Sequence, residues 1–281
     1  MPFTEIAYEA RGEVRIIRFA RPEVRNCIGP TTHRELVEAW TRFRDDDGAK
    51  VAIITGTGDK AFCSGGDLKS AGLVPFSDDE MAAHERGERP GVLGPSRWTD
   101  ITKPIIAAVN GVAYAGGLEW ACFADIRIAE EHATFGVTCR RWNIGLADGG
   151  TQRLPRIVGM GRALELIITG RVIDAREAER IGLVNEIVPT GTSLARALEL
   201  AEFICGLPQP ALRTDKEAAI RGFGLPLADG LRIEAACFNR SIRDPATVEG
   251  LRQFVQRDHP DRRRDEPPRT PGLRRDPHRD G

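Results

Sequence analysis

Three stretches of this chain hold residues whose types and spacing could do chemistry. The first is Lys60–Lys69, KAFCSGGDLK, with two adjacent glycines ahead of an acid. Paired glycines permit unusual backbone angles and the close approach of a ligand, although a plain turn would use them equally. The second is Asn110–Glu119, NGVAYAGGLE, which enters a helix at Leu118. The N–H groups at a helix start are unpaired and lie at the positive end of its dipole, so the segment can receive an anion. Tight helix–strand packing would also require Gly116-Gly117. Glu119 in the first turn suits the dipole and is placed to orient water or move a proton. The third is Phe135–Pro155, FGVTCRRWNIGLADGGTQRLP. There Asp148 can cap the following helix or act as an acid/base. Cys139, beside Arg140 and Arg141, can be a thiolate nucleophile with a lowered pKa or a small packed thiol.

The elements around these stretches must position them. Ile6–Glu9 and Val14–Phe19 read as strands about an Arg11-Gly12 turn, with a period of two. Thr31–Phe43 places Leu36, Val37, Trp40 and Phe43 on one helical face. Val51–Thr55, Ile105–Val109 and Ile126–Ala129 read as buried strands, the first two leading into the first two chemical stretches. Helices are expected at Leu118–Ala124, Arg153–Gly159, Arg162–Thr169 and Ala175–Gly182, and Val184–Val188 closes the series. Ser70–Thr102 has no sustained period. A capping box at Ser77–Glu80 opens a short helix through Arg86, and the remainder reads as a long loop lining or covering a site. From Leu194 the pattern is helical only. The organisation expected is an α/β core over 1–195, a helical segment over 196–257 and a disordered tail over 258–281.

Bulk composition narrows the function classes. Hydrophobic residues make up 41% and aromatics 6%, so the core must be mostly aliphatic. A net charge of −1 gives no electrostatic footprint for nucleic acid or an anionic membrane. In the tail, acids are interleaved with the arginines, which favours a solvated segment over a nucleic-acid arm. No run approaches a membrane span, and no basic n-region with a long apolar run opens the chain. The six scattered cysteines form no metal-ligand pattern and read as free thiols in a reducing cytoplasm.

Taken together, RPEVRNCI, VAIITGTGDKAFCSGGDL, KPIIAAVNGVAYAGGLEWACFADIRIA and GGTQRLPRIVGMGRALELIITGR resemble the enoyl-CoA hydratase/isomerase (crotonase) superfamily over Arg11–Val188. The resemblance implies a spiral of repeated ββα units with a C-terminal helical trimerisation segment, assembled as a homotrimer or a dimer of trimers. It implies an acyl-CoA thioester as ligand and no separate cofactor or metal. Two oxyanion donors fall, by the family pattern, on the amides of Gly66 and Gly116. Arg25, Cys63, Asp67, Leu68 and Lys69 become the implied substrate-binding positions, with Asp67 bracing the oxyanion loop.

Hydratases of this family use two glutamates. Glu119 matches the first, and Cys139 stands at the second. Two-carboxylate hydration is therefore not available in its usual form, although one carboxylate can both activate water and deliver the α-proton. Other members place an aspartate near the GGT turn, where Asp148 lies, so isomerisation or another enolate reaction using Glu119 and Asp148 is the alternative. A weakly catalytic acyl-CoA-binding paralogue is a third. The order of expectation is enoyl-CoA hydratase first, with Glu119, Gly66, Gly116, Asp148 and Cys139 as the catalytic candidates.

Overall fold

The computed structural model describes residues 2–70 and 77–257. The chain divides into two compact units. Residues up to Trp98 together with Ile105–Leu198 form the first, and Thr99–Pro104 together with the residues from Glu199 form the second. The expected tail lies outside the described residues.

The first unit is α/β and holds two sheets. One has six strands: β1 (Ile6–Arg11), β2 (Val14–Phe19), β3 (Val51–Gly56), β5 (Ile105–Val109), β7 (Ile126–Glu130) and β10 (Glu186–Val188) are neighbours in that order. Only β1 and β2 pair antiparallel; the others run parallel. Strands β3 and β5 are buried at every residue, which explains their unbroken runs of Val, Ile and Ala.

The second sheet has the order β4 (Ala61–Cys63), β6 (Val112–Tyr114), β8 (Thr134–Gly136), β9 (Val172–Asp174). Strands β4, β6 and β8 are parallel, so their C-terminal ends share one edge. Strands β4 and β6 lie within the first two chemical stretches, and β8 opens the third. Consecutive strand pairs β3-β4, β5-β6 and β7-β8 thus each give one strand to each sheet.

The helices are α1 (Pro30–Asp45), α2 (Asp78–Glu85), α3 (Gly116–Phe123), α4 (Gly150–Val158), α5 (Met160–Thr169) and α6 (Ala175–Arg180), with α7 (Ser193–Cys205) following; α1, α3 and α6 pack on strands. Helix α2 carries the expected box, with Glu80 N–H on Ser77 Oγ and Ser77 N–H on Glu80 Oε2. An aromatic cluster fixes α3, the helix that bears Glu119. Trp120 stacks on Trp40 of α1 (5.7 Å) and meets Phe19 and Phe123 edge-on.

The second unit is helical, with α8 (Gln209–Gly222), α9 (Leu227–Ser241) and α10 (Pro245–Arg257). Helix α8 holds Thr99–Pro104 through a Lys216 Nζ bond to the Lys103 carbonyl (2.8 Å).

Candidate active site

The first glycine pair is fixed by its neighbours along the chain edge. Ile28 N–H donates to Gly65 O (2.8 Å), and Asp67 N–H donates to Ile28 O (2.9 Å). In this parallel bridge the flanking residues use the Ile28 side, so the Gly66 N–H faces the other way. It meets no acceptor among the described residues. Asp67 does brace the loop: its Oδ2 accepts from Arg21 (3.0 Å), and its Oδ1 accepts from the Lys69 and Ser70 amides. Burial raises the Asp67 pKa, but the Arg21 bond and the two amides outweigh it and hold the carboxyl below its usual range.

The second glycine pair packs against the first. A Cβ built on Gly65 would lie 3.0 Å from Gly116 N, and one on Gly117 would lie 1.9 Å from Cys63 O. Tight packing against β4 therefore accounts for glycine at 117. Gly116 is the first residue of α3, where an N–H has no intrahelical partner, and it too meets no acceptor among the described residues. Ala115 before it stands at φ 50° and ψ −118°, outside the regions an L-residue occupies comfortably. Its own N–H is held by Gly136 O at the end of β8 (2.9 Å).

Glu119 is buried, and its Oε1 accepts from the Asp148 amide (2.9 Å) and the Gly150 amide (2.8 Å). Burial, together with the charge of Asp148, pushes its pKa up to about 7 against the pull of those amides. Asp148 is also buried. Burial raises its pKa despite bonds from the Leu93 amide and the Ser96 hydroxyl to its Oδ1 (3.0 Å each). The capping role expected for Asp148 is corrected by this geometry. Gly149, in the left-handed region at φ 100°, caps α4, and no side chain bonds there. The Asp148 carboxylate reaches instead to the Gly91–Ser96 segment.

Cys139 lies in a short 3-10 turn, Thr138–Trp142, at the end of β8 and is buried. Its pKa is raised by burial and by Glu119, and Arg140 only partly offsets this. Of the two readings of Cys139, the geometry favours the packed thiol over the nucleophile with a lowered pKa: Arg140 Nε is turned to Ile167 O (3.1 Å), and Arg141 is exposed. The Cys63 side chain faces the interior. It is fully buried, its sulfur accepts the Gly65 N–H (3.4 Å), and burial pushes its pKa up to about 12. Leu68, Lys69 and Arg25 are exposed, and the Arg25 carbonyl ties down Ser64 N.

Several site residues carry no sequence signal. Arg21, the brace of Asp67, is one cation among many. Leu93 and Gly94 lie in the aperiodic stretch and are pinned by Trp120 Nε1 on Leu93 O (3.0 Å) and by the Gly94 amide on His33 Nδ1 (2.9 Å). The same Nδ1 lies 3.1 Å from Val92 O, and burial lowers the pKa of the ring. Arg153 of α4, half-buried over the Phe123 ring, bonds the carbonyls of Ser96 and Trp98. A cavity of about 210 Å³ lined by Ile28, His33, Gly66, Asp67, Val92 and Leu93 opens beside Gly66. Among the described residues no group of three His, Cys, Asp or Glu side chains could hold a metal ion.

The family profile described as "Enoyl-CoA hydratase/isomerase" matches residues 9–263. The chain belongs to the enoyl-CoA hydratase/isomerase family. It is 36% identical over 260 residues to crotonyl-CoA hydratase of Syntrophomonas wolfei, covering 92% of this chain and 97% of that one. It is 33% identical over 255 residues to (E)-benzylidenesuccinyl-CoA hydratase of Thauera aromatica, covering 91% and 97%. The crystal structure of an enoyl-CoA hydratase from Bacillus anthracis superposes with a TM-score of 0.80 at 35% identity, over 90% of this chain and 97% of that chain. The α/β fold with two mixed sheets is therefore that of the family. Among the described residues no helix is long and apolar enough to cross a membrane.

Proposed function

We propose that this family member is an enoyl-CoA hydratase that adds water to a 2-enoyl-CoA to give a 3-hydroxyacyl-CoA. The observation carrying the reading is the pair of unspent amides, Gly66 and Gly116, on loops packed together and adjoining the buried Glu119. The thioester oxygen accepts from both N–H groups. Glu119 takes a proton from water as the oxygen bonds to C3, the π electrons move onto the thioester as an enolate, and the same carboxyl returns a proton to C2. Two preorganised donors stabilise the charge at the moment it forms, typically by about 3 kcal/mol or more for each. A pKa near neutrality lets one carboxyl serve in both directions, as the absence of a second glutamate at Cys139 requires.

The substrate brings its own CoA, and no further cofactor or metal is invoked. Arg25, Leu68 and Lys69, exposed on the approach to the Gly66 loop, contact the CoA portion. The ββα succession winds as a spiral, and the helical second unit joins copies into a trimer or a dimer of trimers. Six buried cysteines, none in a disulfide, support a cytoplasmic setting.

The decisive experiment follows the loss of enone absorbance when crotonyl-CoA meets the purified chain. Rapid loss that disappears in Glu119→Gln supports hydration. A shift of the double bond without water uptake, sensitive to Asp148→Asn, would favour the alternative isomerase reading, which the proximity of the two buried carboxylates motivates. Tight binding of acyl-CoA with no conversion would leave a binding paralogue.

A further inference from the structure

Leu93 straddles the two glycines. Its Cδ1 would lie 2.1 Å from a Cβ placed on Gly116, and its Cδ2 would lie 3.3 Å from one placed on Gly66. One isobutyl group therefore covers the Cα atoms of both residues whose amides are unspent. It also lines the cavity that opens at Gly66.

The backbone beneath this side chain is tied on three sides. Leu93 N–H donates to Asp148 Oδ1, Leu93 O accepts from Trp120 Nε1, and the following Gly94 N–H donates to His33 Nδ1. Gly94 itself stands at φ 102° and is wedged against Trp120 and Leu36, where a Cβ would lie 3.1 Å and 3.2 Å from their atoms. Leu93 can change rotamer, but its Cα cannot withdraw without breaking these contacts.

Resting on the acyl-CoA reading above, we propose that Leu93 is a specificity-determining residue that restricts the site to acyl groups unsubstituted at C2. An oxygen held by both amides sits about 2.9 Å from each nitrogen, so the carbonyl carbon and C2 follow within reach of the Leu93 methyls. A C2–H fits beneath them. A C2 methyl meets a wall whose backbone is pinned. A single methyl in such a pocket typically decides selectivity by about tenfold or more. On this view Asp148 is a positioning residue. Its side chain holds the wall in place while its amide holds Glu119.

The test compares binding of two unreactive esters, butyryl-CoA and isobutyryl-CoA, to the full chain by titration calorimetry. The second carries a methyl on C2. Wild type is expected to prefer butyryl-CoA by at least about tenfold, and Leu93→Ala to shrink that preference to about twofold or less. Leu93→Val, a smaller change less able to disturb folding, should fall between. An unchanged preference in a folded Leu93→Ala, or a wild type indifferent to the C2 methyl, overturns the proposal while leaving the acyl-CoA reading intact. A wild type that binds neither ester overturns both. Tight, selective binding without crotonyl-CoA hydration sustains this inference and removes the hydratase assignment alone.

Discussion

Ala115 carries a backbone conformation that glycine tolerates and alanine does not, immediately before the amide assigned to the thioester oxygen. Replacing it by glycine should relieve about 1 kcal/mol of strain and also loosen the aim of the Gly116 N–H. Ala115→Gly is thus expected to raise the melting temperature or leave it unchanged while kcat falls, a split that urea unfolding and steady-state rates would reveal. Glu119 makes a second residue-scale prediction. Its pKa rises from an ordinary 4.5 to about 7 on folding. Between those values the folded chain keeps a proton that the unfolded chain has lost, so stability falls as pH rises through that window and levels off above it. The loss is about 3 kcal/mol. Glu119→Gln should abolish this slope, giving a chain more stable than wild type at pH 8 and inactive, as melts across pH would show. Activity runs the other way: kcat/KM of wild type should rise with pH through about 7 as the base ionises. Cys139→Ala should keep activity within about threefold, because a thiol raised by burial is no nucleophile; comparative kinetics and iodoacetamide resistance of the wild type check this. The paired glycines and Glu119 were legible in the sequence because they follow buried strands within strings that resemble the family pattern. Arg21, His33, Leu93 and Arg153 were not, because each acts through a partner far along the chain.

At the scale of elements, the six-stranded sheet was legible almost strand by strand. Val14–Phe19 and Ile105–Val109 have the expected bounds, and Val51–Gly56 is one residue longer. The four-stranded sheet was not legible, since all its members are three residues long and a period of two cannot declare itself over AFC, VAY, TFG or VID. Yet these short strands bring the three chemical stretches to one edge. Their tolerance is correspondingly small. Gly117→Ala would drive a methyl into Cys63 O at 1.9 Å, backbone against backbone, with the Trp120 cluster holding α3 in place. A loss of about 3 kcal/mol or more is expected, read as a shifted urea midpoint. Asp148 was legible as an important acid but not in its role. A helix cap is a local relation, whereas bonds to Leu93 and Ser96 span more than fifty residues.

For the molecule as a whole, large apolar side chains remain uncovered in each unit. On α5, Met160, Leu164 and Ile168 are 62%, 43% and 67% exposed at helical spacing, enough to mark one apolar stripe. In the second unit Leu227, Phe238, Leu251 and Phe254 are likewise exposed. The proposed trimer or dimer of trimers predicts a light-scattering mass several times the 30.8 kDa of the chain. Phe238→Glu, in the second unit proposed to join the copies, should lower that mass while leaving the circular dichroism of the subunit unchanged.

None of the six cysteines is in a disulfide and all are buried, from Cys27 ahead of α1 to Cys237 in α9. Aromatic disulfide reagents should therefore colour slowly, at a rate set by opening of the native structure instead of by thiol chemistry. Because the six sites are spread from Cys27, ahead of α1, to α9, the order in which they label would chart which parts of the molecule open first.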